Sequence, residues 1–443
     1  MRTSGPIRII GRWRTMSDDE RKRSTTRGLD KIFDGAFRES ILELIDDVRA
    51  HGDVAVSRAL KQFDGCDVDP TALRVDEREF AEARAVVPSA LVTAIRDAID
   101  HVRRFNEQLA ARGDWSVESE PGLTVGEKLS PIASAGLFVP SGKGSYPSVL
   151  VQIGTPAVVA GVPEVAVVVP PVPGSRGEVD PAVLVVADEL GLRNVFRANG
   201  PAGIAALAFG TETIPKVRKV LGPGSPAVTC AQVEVQRFGT VTTMLLGPSE
   251  SLIIADDGAD PRLLAADLLN EAEHGPDSSS VLVTDSEMLL AAAQREVARQ
   301  LAELPEPRRT YAATALGTNG GAILVDNLEQ ATEVANAYAP EHMQIAVRDE
   351  EGVLSRIRDA GEILVGQWTT VSAANYIIGC PASLPTGGFA KVSGGVTVDA
   401  FRKRTAVARA DRRALLRMKD SITALAQHEG FPAHEAAVRI RFP

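Results

Sequence analysis

The sequence predicts an α/β protein of two α/β units, with helical segments added at both ends. Two observations carry that reading. From about Pro131 onward, short β-branched runs alternate with helical stretches. Val and Ile runs set between helices are what parallel strands look like when both sheet faces are covered. The chain has 443 residues, of which 44% are hydrophobic and 24% charged. That is enough for more than one core, and it excludes wholesale disorder.

The N-terminus is basic, with Arg2, Arg8, Arg12, Arg14, Arg21, Lys22, Arg23 and Arg27. It lacks the apolar core of a secretory signal, and Asp18, Asp19 and Glu20 disagree with a transit peptide. Met16 offers a second start, so residues 1–15 read as a poorly ordered arm. Residues 38–51 carry Ile41, Leu42, Leu44, Ile45 and Val48 at helical spacing, and Gly52 reads as the stop. Leu91, Val92, Ile95, Ile99 and Val102 repeat the pattern over 89–112.

The first alternating series runs through 165–169, 182–190, 194–197, 202–209 and 217–220. A second runs through 252–255, 261–273, 281–284, 288–304 and 323–325, and closes with 343–347 and 363–365. The last stretch, 411–441, is helical and charged, is punctuated by Gly430 and Pro432, and reads as an appendage.

Composition removes several function classes. The longest apolar runs, such as 165–169, fall far short of the ~18–20 residues that span a bilayer, so no membrane role is expected. Cys66, Cys230 and Cys380 are scattered, without disulfide or thiolate-metal spacing, which points to a reducing, cytoplasmic setting. Acidic residues outnumber basic ones 58 to 48, for a net charge of −10, which argues against nucleic acid as the main ligand.

Three stretches are candidates for chemistry. Residues 136–144 read GLFVPSGKG. A phosphate-binding Walker loop needs four residues between its glycines and Ser or Thr after the Lys; here five intervene and Gly144 follows, so the Walker reading fails. A glycine-rich turn at a nucleotide or a purely structural turn both remain. In the second stretch Asp260 and Pro261 open a helix, as N-cap and first-turn proline, with Leu263, Leu264, Leu268 and Leu269 inward. Glu271 and His274 share one face near its end, where a carboxylate and an imidazole can chelate one metal; spacing alone favours a solvated last turn. The third is Glu341–His342, just after Pro340. Adjacent Glu and His at a helix–strand junction point from a loop edge, where His can act as base and Glu can align a water. Of the six histidines, His51 and His101 lie on charged helical segments and read as surface residues, His434 lies in a polar break between the terminal helices and can be surface as well, and nothing in composition links His274, His342 and His434.

Taken together, AGLFVPSG (135–142), IAALAFGTETIPKV (204–217), GPSESLIIAD (247–256), DLLNEAEHGPDS (267–278), APEH (339–342), LPTGG (384–388) and EGFPAH (429–434) resemble the histidinol dehydrogenase family from about residue 30 to the C-terminus. The resemblance implies two Rossmann-like parallel-sheet domains, a homodimer whose terminal segments complete the partner's site, and NAD-linked oxidation of an alcohol through an aldehyde to a carboxylate. It also implies a zinc ion. The expected division is 1–36 as an N-terminal arm, 37–137 with 251–396 as the first α/β domain, 138–250 as the second, and 397–443 as a helical segment reaching the partner.

Carried over residue by residue, the family's catalytic pair falls on Glu341 and His342, with His342 taking the alcohol proton and Glu341 activating water. Its metal ligands Gln, His, Asp and His fall on Glu271, His274, Asn375 and His434. The two departures are complementary, so the summed ligand charge stays at one negative, and the set remains suited to zinc. Among substrate contacts, Ser148, Ser249 and Glu429 keep their type, whereas a family histidine falls on Ala382. The NAD contacts Tyr, Gln and Asn fall on Phe138, Ala202 and Ser225, each losing a hydroxyl or an amide. Losses on both sides of the site imply a paralogue that oxidises a different primary alcohol or amino alcohol; relatives acting on sulfonated diols show that the scaffold accepts other substrates. Histidinol dehydrogenase itself and a non-catalytic binding protein are the alternatives.

Overall fold

The computed structural model describes residues 5–27, 34–141, 144–243 and 247–442. Its strands are β1 (Ile9–Arg12), β2 (Trp115–Glu120), β3 (Leu123–Pro131), β4 (Ser134–Phe138), β5 (Glu164–Val169), β6 (Asn194–Arg197), β7 (Lys219–Leu221), β8 (Glu250–Ala255), β9 (Ser279–Thr284), β10 (Gly321–Leu324), β11 (His342–Ala346), β12 (Glu362–Val365) and β13 (Arg402–Ala410). They form a six-stranded sheet in the order β1-β10-β9-β8-β11-β12, a four-stranded sheet in the order β6-β5-β4-β7, and a three-stranded sheet in the order β13-β3-β2. The first two are parallel throughout and the third is antiparallel. The expected α/β class and its paired parallel sheets are what the chain adopts.

Each parallel sheet has a core on both faces, which is why its strands read as unbroken Val and Ile runs. On the six-stranded sheet, Ile253, Ala255, Leu282 and Ala346 pack against Leu264 and Leu268 of the Pro261–Ala272 helix. The opposite face packs Leu252, Ile254, Met343 and Ile345 against Val334 and Tyr338.

Four sequence expectations need correction. Residues 1–15 are not a loose arm as far as they are described: β1 pairs in parallel with β10, Ile7 and Trp13 are buried, and Gln294 holds both the N–H and the carbonyl of Ile7. A four-residue strand among flanking arginines had hidden it. Gly52 kinks rather than stops its helix, which runs Gly35–Ala59; its φ is 52° and a Cβ there would meet Glu212 Oε2 at 2.2 Å. Residues 37–137, expected to join 251–396, touch it at His101 and Ile377 but pack chiefly on the four-stranded sheet. Ile41, Ile45 and Val56 pack on one face of the four-stranded sheet and Phe80, Ile95 and Val102 on the other, because helices from this segment cover both of its faces. Finally, β2, β3 and β13 form a sheet that the sequence did not suggest, since β2 and most of β13 are exposed and carry no apolar run.

The terminal helices Arg412–His428 and Pro432–Arg439 pack on each other as an appendage. Among the described residues no helix is long and apolar enough to cross a membrane.

Candidate active site

Strand register builds the site. His342, the first residue of β11, pairs with Ser251 of β8 on one side and Glu362 of β12 on the other. Residues opposite one another in register share a sheet face, so His342 and Glu362 point the same way, toward the Pro261–Ala272 helix. That helix is capped by Asp260, which accepts from the Arg262 N–H, and Pro261 sits in its first turn. A rung deeper along β11, Gln344 Nε2 donates to Asp267 Oδ2 at 2.9 Å, which ties strand to helix. One helical turn further on, Glu271 Oε2 reaches to 3.9 Å from His342 Nε2.

The chain enters β11 under constraint. Ala339 caps the Leu328–Tyr338 helix at φ 53°, the one non-glycine with positive φ among the described residues. A Cβ in that region costs about 1–2 kcal/mol, and the strain sits two residues before Glu341. Glu341 then turns inward: the Glu250 N–H donates to its Oε2 at 3.0 Å, and its Oε1 lies 3.7 Å from His342 Nε2. The pair is not at a loop edge as expected. His342 is 3% exposed and Glu341 8%.

Four carboxylates, Glu250, Glu271, Glu341 and Glu362, converge on this imidazole and its surroundings, and burial acts strongly on two of them. It pushes the Glu341 carboxyl up to about 8, with His342 opposing and Glu271 adding to the rise. It likewise raises Glu250 to about 7, against the pull of Arg27, 3.4 Å away, and the Gly387 N–H. For His342 burial disfavours the imidazolium, but Glu271, Glu341 and Glu362 outweigh it and hold the ring at about 10. Glu271 is fully buried, which opposes ionisation, yet His274, His342, Asn375 and Asn270 keep it below the usual carboxylate range. The cluster is short of positive charge.

The donor set fits a divalent cation. Ligand atoms of Glu271, Glu341 and His342 lie within 4.8 Å of one another. Glu271 Oε1 receives Asn375 Nδ2 at 3.2 Å and Asn270 Nδ2 at 3.0 Å, and lies 3.5 Å from His274 Nε2, while its buried Oε2 has no hydrogen-bond partner. An unpartnered, fully buried carboxylate oxygen is costly unless a cation faces it. Three of the four expected ligands (Glu271, His274 and Asn375) are thus together. His434 is not among them: it is exposed on the terminal appendage, against the Phe431 ring at 5.0 Å.

The remaining expected residues divide likewise. Ser249 Oγ lies 3.5 Å from His274 Nδ1, at the cluster. Ser148 is half-buried in the first turn of the Pro147–Val159 helix. Ala382 sits beside that helix, its N–H donating to Gln152 Oε1 at 3.3 Å. Glu429 caps the end of the appendage helix and is exposed. Phe138 and Ala202 are packed into the core of the four-stranded sheet, so neither side chain stands on an open surface. Ser225 is exposed as the N-cap of the Pro226–Val235 helix. The glycine-rich candidate at 136–144 falls partly outside the described residues.

The sequence reading missed Glu362, Glu250 and Cys380. Glu362 Oε1 meets His342 Nδ1 at 2.5 Å, and Cys380 Sγ donates to Glu362 Oε2 at 3.4 Å. A carboxylate opening a strand beside one that opens with His was the available signal, but it needs the register to be known.

Comparison with known proteins places these features. The family model for histidinol dehydrogenase matches residues 30–442. A histidinol dehydrogenase of Synechocystis sp. is 40% identical over 400 residues, covering 90% of this chain and 91% of that one. A histidinol dehydrogenase homolog 2 of Mesorhizobium japonicum is 40% identical over 403 residues, covering 91% of each. The crystal structure of histidinol dehydrogenase from Elizabethkingia anophelis superimposes with a TM-score of 0.92 at 31% identity, covering 99% of both chains.

Proposed function

Because the chain belongs to the histidinol dehydrogenase family, a family of NAD-dependent oxidoreductases, we propose that it oxidises a primary alcohol or amino alcohol other than histidinol, through the aldehyde to the carboxylate. One observation carries the chemistry: a buried Glu341–His342 pair whose imidazole Nε2 faces both Glu341 and Glu271. Two molecules of NAD, bound in turn, would each supply the acceptor for one hydride. Zinc, when bound, supplies the positive charge that holds and polarises the substrate oxygen. Glu271, His274 and Asn375 would hold it, with His434 as the fourth ligand.

The chain's own groups then have defined tasks. His342 takes the alcohol proton at Nε2, a role open to it once positive charge offsets the carboxylates that now keep the ring protonated. Glu341, anchored by the Glu250 N–H, would accept a proton from water attacking the aldehyde once added positive charge brings its raised carboxyl back to the ionised form. Burial of both excludes competing water. Ala382, where the family has histidine, offers only a backbone N–H already given to Gln152. A buried imidazole on the substrate would lose a partner there, at about 1–3 kcal/mol, which disfavours histidinol.

His434 and Glu429 belong to this site only as contributions from a second copy, so the reading includes a homodimer. Leu425 and Ile440 on the appendage are 62% and 79% exposed, as uncovered interface residues would be. The free cysteines suit a cytoplasmic protein. Relatives of similar identity carry both the plain family name and the word homolog, which keeps histidinol as the second reading.

The test is a panel of primary alcohols, amino alcohols and histidinol with purified protein, zinc and NAD, followed at the nicotinamide absorbance. Turnover of another alcohol with poor histidinol turnover is expected. Efficient histidinol oxidation would establish the second reading, and no turnover of any alcohol would leave a binding protein.

A further inference from the structure

His342 carries two nitrogens with different surroundings. Nε2 faces Glu341 Oε1 at 3.7 Å and Glu271 Oε2 at 3.9 Å, where a substrate hydroxyl and a cation would meet. Nδ1 faces away from both, onto Glu362 Oε1 at 2.5 Å. The register His342↔Glu362 makes this contact a property of the sheet, not of a flexible loop. Both residues are buried, Glu362 at 9% exposure.

Glu362 is itself held. Its second oxygen receives the Cys380 thiol at 3.4 Å. Burial and the facing carboxylate push that thiol up to about 12, so it stays a thiol and keeps its S–H to donate. Both carboxylate oxygens are therefore spoken for, and the plane of Glu362 is fixed against the imidazole edge.

We propose that Glu362 is a positioning residue acting through His342: by accepting the Nδ1–H it fixes the ring orientation and reserves Nε2 as the nitrogen that exchanges a proton with substrate. Cys380 acts one step further out, holding Glu362. An imidazole without such an anchor can rotate, or can carry its single proton on the wrong nitrogen. The inference rests on His342 being the base, but its geometric half is independent of substrate and metal.

The closing experiment has two arms. In the first, proton NMR of the intact protein is searched for an Nδ1–H resonance far downfield of the amide region, as a short imidazole–carboxylate hydrogen bond produces. It should be present in wild type and absent from His342→Ala and Glu362→Ala. In the second, with whichever alcohol the panel identifies, Glu362→Ala should lower kcat about 100-fold, as loss of an organised base does, with KM for NAD unchanged. Glu362→Asp should recover part of the rate. Glu362→Gln, of the same shape, covers the case in which the Ala variant does not fold, and it too should lose the downfield proton. Absence of the resonance from wild type would overturn the proposal, as would full kcat in a folded Glu362 variant that has lost it. If the resonance behaves as expected while no alcohol is oxidised, it is the assigned reaction that fails.

Discussion

Asp267 ties the two elements that carry the site, and its charge should be a measurable liability. It lies on the Pro261–Ala272 helix one turn before Glu271, is 6% exposed, and accepts from Gln344 two residues beyond His342. Burial raises its carboxyl from 3.8 to about 6, with the Gln344 hydrogen bond opposing. An acid raised in the folded state contributes stability that is present below its unfolded value and lost as pH rises through about 6. Above that, keeping the ionised group buried costs about 3 kcal/mol relative to the unfolded chain. Asp267→Asn keeps the shape and the acceptor and removes the charge, while its amide nitrogen can reach Gln344 Oε1, which is buried and unpartnered. The variant should therefore be more stable than wild type at pH 8, by up to about 3 kcal/mol. For a chain of this size that corresponds to a rise in melting temperature of about 3 °C. At pH 4.5 the advantage should shrink toward the small gain of one extra hydrogen bond. Thermal melts of both proteins at the two pH values, with and without chelator, provide the measurement. An equal shift at both pH values, or a variant less stable at pH 8, would refute the assignment of a charge penalty to Asp267.

Other consequences are more direct. Glu271→Gln should lose metal on dialysis, and Glu271→Gln with Asn375→Asp should regain it, because the 3.2 Å amide–carboxylate contact survives with its polarity reversed; metal analysis decides, and a double variant binding worse than the single ends the compensation idea. His342→Ala should cut turnover by ~10²–10⁴ and, since His342 is buried in β11 against Glu362, should also lower the melting temperature; unchanged kinetics would remove it from the mechanism. Glu341→Gln should stall the second oxidation, so aldehyde should accumulate in the product assay; equal loss of both steps would contradict the division of labour. Leu425→Asp with Ile440→Asp should shift light-scattering mass toward the monomer, and an unchanged mass would show that the appendage face is not the interface.

The parts of the fold legible in the sequence are those buried on both sides. Strands β5, β8 and β9 are continuous Val, Ile and Leu runs because helices cover both faces, and the Pro261–Ala272 helix announces itself through Asp260 and Pro261. β1 was hidden because it is only four residues long, Ile-Ile-Gly-Arg, too short for an alternating pattern to show among the flanking arginines. β2 and β13 were hidden because exposed antiparallel strands need no apolar run at all. The site divided in the same way. Glu341 and His342 are neighbours in sequence, and Glu271 and His274 are one helical turn apart, so both pairs could be read. Glu362 is twenty residues from His342 and joins it only through strand register, which periodicity does not encode.

Helix caps decide where a dinucleotide can sit. In open parallel sheets ligands collect beyond the carboxyl ends of the strands, and phosphates favour helix N-termini whose N–H groups are free. At the carboxyl end of the six-stranded sheet those N-termini are occupied: Asp260, Ser286 and Asp349 each accept from the helix they precede. Asp256, Asp257 and Asp285 crowd the same edge around Arg348, so a pyrophosphate would meet acceptors and negative charge. At the four-stranded sheet Asp180 and Asn199 cap the helices after β5 and β6, but the other two N-termini differ. The helices Pro147–Val159, after β4, and Pro226–Val235, after β7, have no side-chain cap. Between them Gly222, at φ 135°, lets two backbones close to where a Cβ would meet Phe138 O at 2.0 Å. At these two N-termini backbone N–H groups stand without a side-chain cap, so the loss of polar groups at Phe138 and Ala202 need not abolish binding. We propose that NAD binds at this edge. The hydrogen bond from Ala382 to Gln152 joins the helix after β4 to the loop beyond β12, and so links this edge to the sheet whose strand β11 opens with His342.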